Sequence, residues 1–307
     1  MQYLGLLASA LIALIAGLVI HLFIIGVNVT NWWKGRSVTP IDHIVTSLGM
    51  SRMGAQCANT LLLLIPMFIW RNLDPHVYMV GGLSYTFFSH ASNWLTSLLS
   101  IVFCLKISNF HSRLFLYLRG MIVHRTVYFI VAAVLLSAVT ILMTLLAASS
   151  DGIYNKTITN LTYCNNIPFV YSAAIGAIFS LLFYWISSVL LFTSLYHHTA
   201  KMKKSSNSSI NLETYYSVMK FVSFTFIYNT LYFIWFFFCI FNYFFHCVNL
   251  DWLHIILNFL PVLHSSYLIY KTAKLRSQMS KVLQNVTDFL FQRKDLETRE
   301  NIEVVAL

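Results

Sequence analysis

Charge is what this sequence has least of. Its 307 residues include ten Asp and Glu and 20 Lys and Arg, so that only 10% are charged. An ordinary soluble domain carries about 25%, and a solvated globular surface cannot be built from this composition. Cysteine is equally sparse, and the count of five is odd. With some of them inside apolar runs, a disulfide framework is excluded. Cys164 and Cys247 are left as the one pair that could bridge on an outer surface, or as two free thiols. Catalytic signatures are missing too: there is no HExxH, Walker loop, GxSxG or acidic pair within an apolar run. The chain reads as a non-enzyme, and nothing in it calls for a metal or cofactor.

What the sequence has in abundance is apolar length. Hydrophobic residues make up 58% and aromatics 16%. Runs with few charges cover residues 4–28, 41–69, 78–107, 127–148, 168–196, 215–241 and 252–271. Each is long enough to cross a hydrocarbon core of about 30 Å. The expected fold is therefore an all-α, multi-pass bundle of seven transmembrane helices over 1–271. A net charge of +10 would suggest nucleic acid in a soluble protein. Here the cations sort by membrane face instead, and no nucleic-acid partner is expected.

The sorting is one-sided. Apart from Arg52 inside the second run and Arg71 and Lys156 in alternate loops, every Lys and Arg falls on the face that holds the first, third and fifth loops and the carboxyl end. The positive-inside rule then puts the amino end outside and the carboxyl end in the cytoplasm. Sequons at Asn155 and Asn160 fall on the outer side in this orientation, where glycosylation is possible, whereas Asn28, Asn207 and Asn285 fall inside. The first run lacks a basic leading segment and exceeds an ordinary signal peptide, so it is read as a retained anchor.

A transporter would show repeats, interrupted helix pairs or buried carboxylates, and none stands out here. A receptor with an outer ligand cavity and a cationic inner docking surface fits better. Rhodopsin-type hallmarks are lacking: the third run ends Cys104-Leu105-Lys106-Ile107, and the seventh has no Asn-Pro-x-x-Tyr. Other strings stand in their place. Val27-Asn28, Trp32, Lys34, Arg36, Asp42 and Ile44, then Leu48 and Ser51-Arg52, form one group. Trp94, Ser100 and Leu105-Lys106-Ile107-Ser108-Asn109-Phe110 form a second. Ser194-Leu195, His198-Thr199 and Met202 make a third, and Lys220, Ser223-Phe224 and Tyr232-Phe233 a fourth. The fifth comprises Pro261, His264-Ser265, Leu268-Ile269 and Lys274-Leu275-Arg276. Together, in this order, they resemble the signatures of the type 2 (bitter) taste receptors. Cys57, Thr272 and Val262-Leu263 depart from that pattern and mark a divergent member.

The resemblance implies a G-protein-coupled receptor at the plasma membrane, with small-molecule agonists and a gustducin-like or inhibitory-type heterotrimeric G protein as partners. A vomeronasal type 1-like pheromone receptor is the nearer rival reading, and a small-solute transporter the more distant one. Trp94 lies twelve residues before Lys106, about 18 Å up the third helix. On residue type alone a membrane Trp is more often core or interface belt, but the resemblance makes it a ligand contact. Leu98 occupies a position one turn deeper where some members carry Asn, which predicts a mostly apolar ligand set. His254 near the outer end of the seventh helix, and Tyr232 with Phe236 in the sixth, complete the expected pocket; each could equally be core. The resemblance places Tyr232 at the pocket floor, shifting on activation.

Arg52 sits about 15 Å into the second helix, where a charge costs roughly 2.5–3.5 kcal/mol. It must face the bundle, with Asn28, Ser265 or local carbonyls as acceptors. The resemblance implies that Asn28, Arg52, Tyr232, Pro261, His264 and Ser265 hold or switch the helices, and a purely structural role is equally compatible with the residues. At the inner ends, Lys106, Arg113, His198, Lys201 and Lys220 are the expected G-protein surface, although lipid attraction of about 1 kcal/mol per charge explains many such cations. Beyond the bundle, Leu275, Met279, Val282, Leu283 and Val286 recur at helical spacing, predicting an amphipathic helix over 272–292 lying on membrane lipid. An acidic tail over 293–307 is expected to be disordered.

Overall fold

A computed structural model of the chain describes residues 2–68, 75–108, 113–150, 167–204, 209–246 and 251–305. These form eight helices: α1 Gln2–Trp33, α2 Pro40–Phe68, α3 Pro75–Ile107, α4 Arg113–Ser150, α5 Ile167–Lys204, α6 Ser209–His246, α7 Asp251–Lys271 and α8 Ala273–Val305. No strand occurs among the described residues. Every apolar run picked out by hydropathy is helical, and the protein is a helical membrane bundle.

Local chemistry sets the helix ends where it can be followed. Gly35 has φ +66° and follows the last turn of α1. Its N–H donates to the Trp32 carbonyl at 3.0 Å, and that of Arg36 to the Asn31 carbonyl at 3.1 Å. This is a Schellman stop, which needs a residue tolerant of the left-handed region. Four residues later Thr39 caps α2. Its Oγ1 accepts from the Asp42 N–H at 3.3 Å while its own N–H donates to Asp42 Oδ2 at 3.0 Å. With Pro40 in the first turn, where no N–H is needed, this is a capping box. The short first loop is thereby locked at both ends.

Within α4, Arg125 leaves helical geometry (φ −124°, ψ 23°). The basic stretch from Arg113 to His124 is thus set off from the span that follows, which agrees with the expected start at 127. Helices α5 and α6 have 38 residues each, about 57 Å at 1.5 Å per residue, so both continue well past a 30 Å core.

Among the described residues, five helices contain segments long and apolar enough to cross a membrane: Gly5–Trp33, Met79–Ile107, His124–Leu146, Ala174–Ala200 and Tyr216–Asn242. By this measure α2 is not among them. The reason lies in its buried polar side chains, including Arg52, Gln56 and Asn59. Such residues lower hydropathy but face the bundle interior, where polar groups find partners. Helix α3 is the central one, with 72% of its span buried against 17% for α4, and it packs on α2, α4 and α5. The peripheral helices present Ile12, Ile15, Val19, Leu135, Leu142, Phe179 and Ile186 outward, an apolar face suited to lipid.

The chain divides into two compact units, residues 1–264 and 265–307. In the second unit α8 continues past 292 to Val305. Residues 293–305 continue the helix in backbone, in keeping with the helix-forming Leu, Glu, Arg and Lys residues within them. Along the amphipathic part, Val282, Leu283 and Val286 are exposed. The Lys271 ammonium lies 5.8 and 5.5 Å from the ring centroids of Tyr267 and Tyr270, within cation–π range.

Candidate functional site

The middle of the bundle is polar. Arg52 is only 5% exposed, and its guanidinium Nη1 lies 2.8 Å from His264 Nδ1. His264 is a partner that the sequence reading, with Asn28, Ser265 or local carbonyls as acceptors, did not name. The contact brings His264 of α7 onto α2. Asn28 instead donates its amide to Thr46 Oγ1 at 3.0 Å and to the Asp42 carbonyl at 3.4 Å, tying α1 to α2 one level nearer the capped loop. On the far side of His264, the Tyr228 ring of α6 stacks at 5.1 Å between centroids. Arg52, His264 and Tyr228 thus link α2, α7 and α6 at one depth. One turn outward, Gln56 Nε2 donates to the Asn258 carbonyl at 2.9 Å, a second α2–α7 tie.

A further network joins α3, α5 and α6. Ser97 Oγ donates to the Ser180 carbonyl at 2.6 Å. Ser187 Oγ donates to Ser100 Oγ at 2.8 Å, and Ser100 and Ser188 hydroxyls meet at 3.0 Å. Asn229 of α6 donates to the Tyr184 hydroxyl of α5 at 3.1 Å. Sequence reasoning missed these contacts, yet α3 carries a legible signal. Ser89, Asn93, Ser97, Ser100 and Cys104 recur at steps of four, four, three and four, which places them on one helical face.

Two small cavities adjoin these networks. One, of about 20 Å³, is lined by Arg52, Gln56, Tyr85, Ser89, Tyr232 and Asn258, among others. The other, of about 30 Å³, borders Ser100, Phe103, Tyr184, Val222 and His264. Of the expected ligand contacts whose side chains are described, only Tyr232 lines either cavity. The half-buried Trp94 packs on Phe183 of α5 at 6.0 Å between centroids, and its indole Nε1 is buried with no hydrogen-bond partner. Leu98 is 8% exposed and lines neither cavity. Phe236 stacks on Tyr232 at 6.5 Å within an apolar cluster of Ala177, Phe233, Cys239 and Leu257. His254 is a backbone member of α7, and its side chain lies outside what the structure describes.

Near the carboxyl end of α3, Cys104, Leu191, Leu195 and Val222 form a second apolar cluster, with Ile107, Phe115, Val218 and Met219 packed around it. It closes α3, α5 and α6 against one another, and the Thr199 hydroxyl on Met219 Sδ at 3.7 Å adds to the closure. Lys106, Arg113 and Lys220 are exposed around it, and His198 is half-buried. Lys201 belongs to α5, with its side chain outside the described residues. Asn155, Asn160, Cys164 and Cys247 also lie outside them, while Cys57, Cys104 and Cys239 are free thiols. Pro261 sits within α7, and Ser265 is buried.

Comparison with known proteins decides the class. The family described as Taste receptor protein (TAS2R) matches residues 2–287. The chain belongs to the taste receptor (TAS2R) family. Taste receptor type 2 member 125 of Rattus norvegicus is 30% identical over 308 residues, covering 94% of this chain and 95% of the relative. Taste receptor type 2 member 4 of Homo sapiens is 30% identical over 222 residues, covering 69% and 73%. The resemblance carried by five short strings thus extends over the length of the bundle. As a TAS2R member the protein is a bitter taste receptor of the G-protein-coupled class, a multi-pass membrane protein and not an enzyme.

Proposed function

We propose that this TAS2R member is a seven-span plasma-membrane receptor, amino end outside, that binds small, mostly apolar organic compounds in an outer pocket between α2, α3, α5, α6 and α7. Binding favours an inner-open form that promotes nucleotide exchange on a gustducin-like or inhibitory-type G protein. The observation that carries the reading is the Arg52–His264–Tyr228 linkage, which joins α2, α7 and α6 between an outer aromatic group and the inner apolar closure. A ligand shifts a two-state equilibrium only as far as it prefers one state. An agonist pressing on Trp94, Tyr232, Phe236 and His254 gains that preference if Tyr232 moves with α6 and carries Tyr228 away from His264.

Leu98 keeps the pocket wall apolar. The buried, unpartnered indole N–H of Trp94 supplies a donor that an agonist acceptor can satisfy. Separation of the inner ends parts Leu191, Leu195 and Val222 and presents Lys106, Arg113, His198, Lys201 and Lys220 to the G-protein α-subunit. Sugars on Asn155 and Asn160 follow from the orientation.

Calcium release in cells carrying a gustducin-chimeric α-subunit, over a varied panel of bitter compounds, tests this reading. Trp94→Ala is expected to raise the half-maximal concentration at least about tenfold at equal surface expression, the equivalent of about 1.4 kcal/mol. Unchanged potency for all agonists would remove Trp94 from the pocket.

A further inference from the structure

We propose that the carboxyl end of α1 binds the headgroup of an anionic phospholipid. Trp32, Lys34 and Arg36 belong to the first of the signature strings, yet neither the outer pocket nor the G-protein surface uses them. Trp32 is 69% exposed and Trp33 88%, and water is a poor environment for two such rings. Their setting is lipid. Ile15, Val19, Leu22, Gly26, Val29 and Trp33 are all exposed and follow one another at steps of four, three, four, three and four, which makes one outward stripe along α1. The apolar span Gly5–Trp33 ends where the stripe ends, at the level where indoles favour the headgroup region.

Charge decides the kind of lipid. Lys34 and Arg36 are exposed just past the rings, and Asp42 is the only acidic residue among the first 73. Its Oδ2 already accepts from the Thr39 N–H and hydroxyl, each at 3.0 Å, within the cap of α2. Arg36 is held in place: its Nη1 donates to Asn31 Oδ1 at 3.2 Å, and the buried Asn31 is fixed in turn by its Nδ2 on the Val27 carbonyl at 2.7 Å. The planar guanidinium keeps further N–H groups for phosphate oxygens, and the turn at Gly35 sets its place relative to the rings. Lys34 extends its ammonium to the headgroup level on an apolar stem. A zwitterionic headgroup brings a cation of its own to this pair, whereas an anionic one offsets both charges. A membrane lipid fits better than a soluble acidic partner, because the rings continue a face already suited to acyl chains. From the proposed receptor reading the site takes only its place in the inner leaflet.

The test reads tryptophan fluorescence of the full-length receptor in phosphatidylcholine nanodiscs that contain brominated-chain phosphatidylserine or brominated-chain phosphatidylcholine at equal mole fraction. Both leaflets carry the same lipids and neither agonist nor G protein is added, so the outcome is separate from orientation and signalling. The part of the quenching lost in Trp32→Phe/Trp33→Phe isolates these rings from the rest of the seven tryptophans. That part is expected to report a roughly fivefold preference for the serine lipid at low salt, shrinking as salt is raised. Lys34→Gln/Arg36→Gln should remove the preference. Lys34→Gln alone leaves the Asn31 contact intact, should lower the preference by about half, and carries the test if the double variant does not fold. Equal quenching by both lipids in the wild type would overturn the proposal. So would an undiminished preference in the charge variants, which would assign it to cations elsewhere, or rings that neither lipid quenches, which would leave them to a protein partner.

Discussion

Arg52→Ala is expected to abolish the response to every agonist while the receptor still reaches the cell surface. Delivery should survive because removing a charge from hydrocarbon lifts a penalty of roughly 2.5–3.5 kcal/mol on insertion of α2. Signalling should fail because the same change deletes the 2.8 Å contact to His264 and with it the α2–α7 tie at the depth where Tyr228 stacks. His264→Ala should reproduce the loss, and the double variant should be no worse than the more severe single one, as expected of residues acting through one contact. Arg52→Lys retains charge but not the planar fork and should recover only part of the response. Surface labelling and calcium release measured in the same cells check this. A normal response at normal expression would reduce the contact to scaffolding, and lost expression would make it a folding requirement.

The second large effect concerns packing. A β-carbon added at Gly54 would come within 2.7–2.9 Å of Cδ1, Cγ and Cδ2 of Phe88, across the α2–α3 interface. Those atoms lie in a ring that is itself edge-packed at 5.3 Å on Phe87, so the ring cannot swing aside as a flexible chain end would. Overpacking of this kind costs about 1–3 kcal/mol, and 1–2 kcal/mol changes cellular abundance several-fold. Gly54→Leu is therefore expected to reduce surface receptor at least about fivefold, and Gly54→Ala by a smaller factor. Phe88→Leu in the Gly54→Ala background should restore part of it by opening the space. Flow cytometry of a tagged receptor reads both, and undiminished Gly54→Leu expression would show that the two helices can separate at little cost.

Helix existence was legible because apolar length is a one-dimensional property, and all seven runs are helical. Azimuth was not. The depth of Trp94 follows from counting residues, but its ring turns toward Phe183 rather than into either cavity, and only packing sets that direction. Arg52 announced itself as a buried charge needing an acceptor. That His264 meets it depends on the rotation of α7 about its axis, at about 100° per residue, which periodicity in α7 does not resolve. The polar stripe on α3 could be read from spacing alone, whereas its partners Ser180, Ser187 and Ser188 on α5 are fixed by the pairing of two helices distant in sequence. Low hydropathy in α2 has the same origin, since Arg52 and Gln56, which weaken its membrane signal, are the groups that tie it to α7.

The central claim is that ligand binding in the bundle drives nucleotide exchange. The most direct measurement is GTP-analogue uptake by a purified gustducin-type heterotrimer, with the receptor in nanodiscs and the bitter panel added one compound at a time. The account predicts that at least one compound accelerates uptake several-fold over the receptor alone and that Arg52→Ala loses this acceleration. No acceleration by any compound that demonstrably binds, together with compound flux across vesicles holding the receptor, would contradict it.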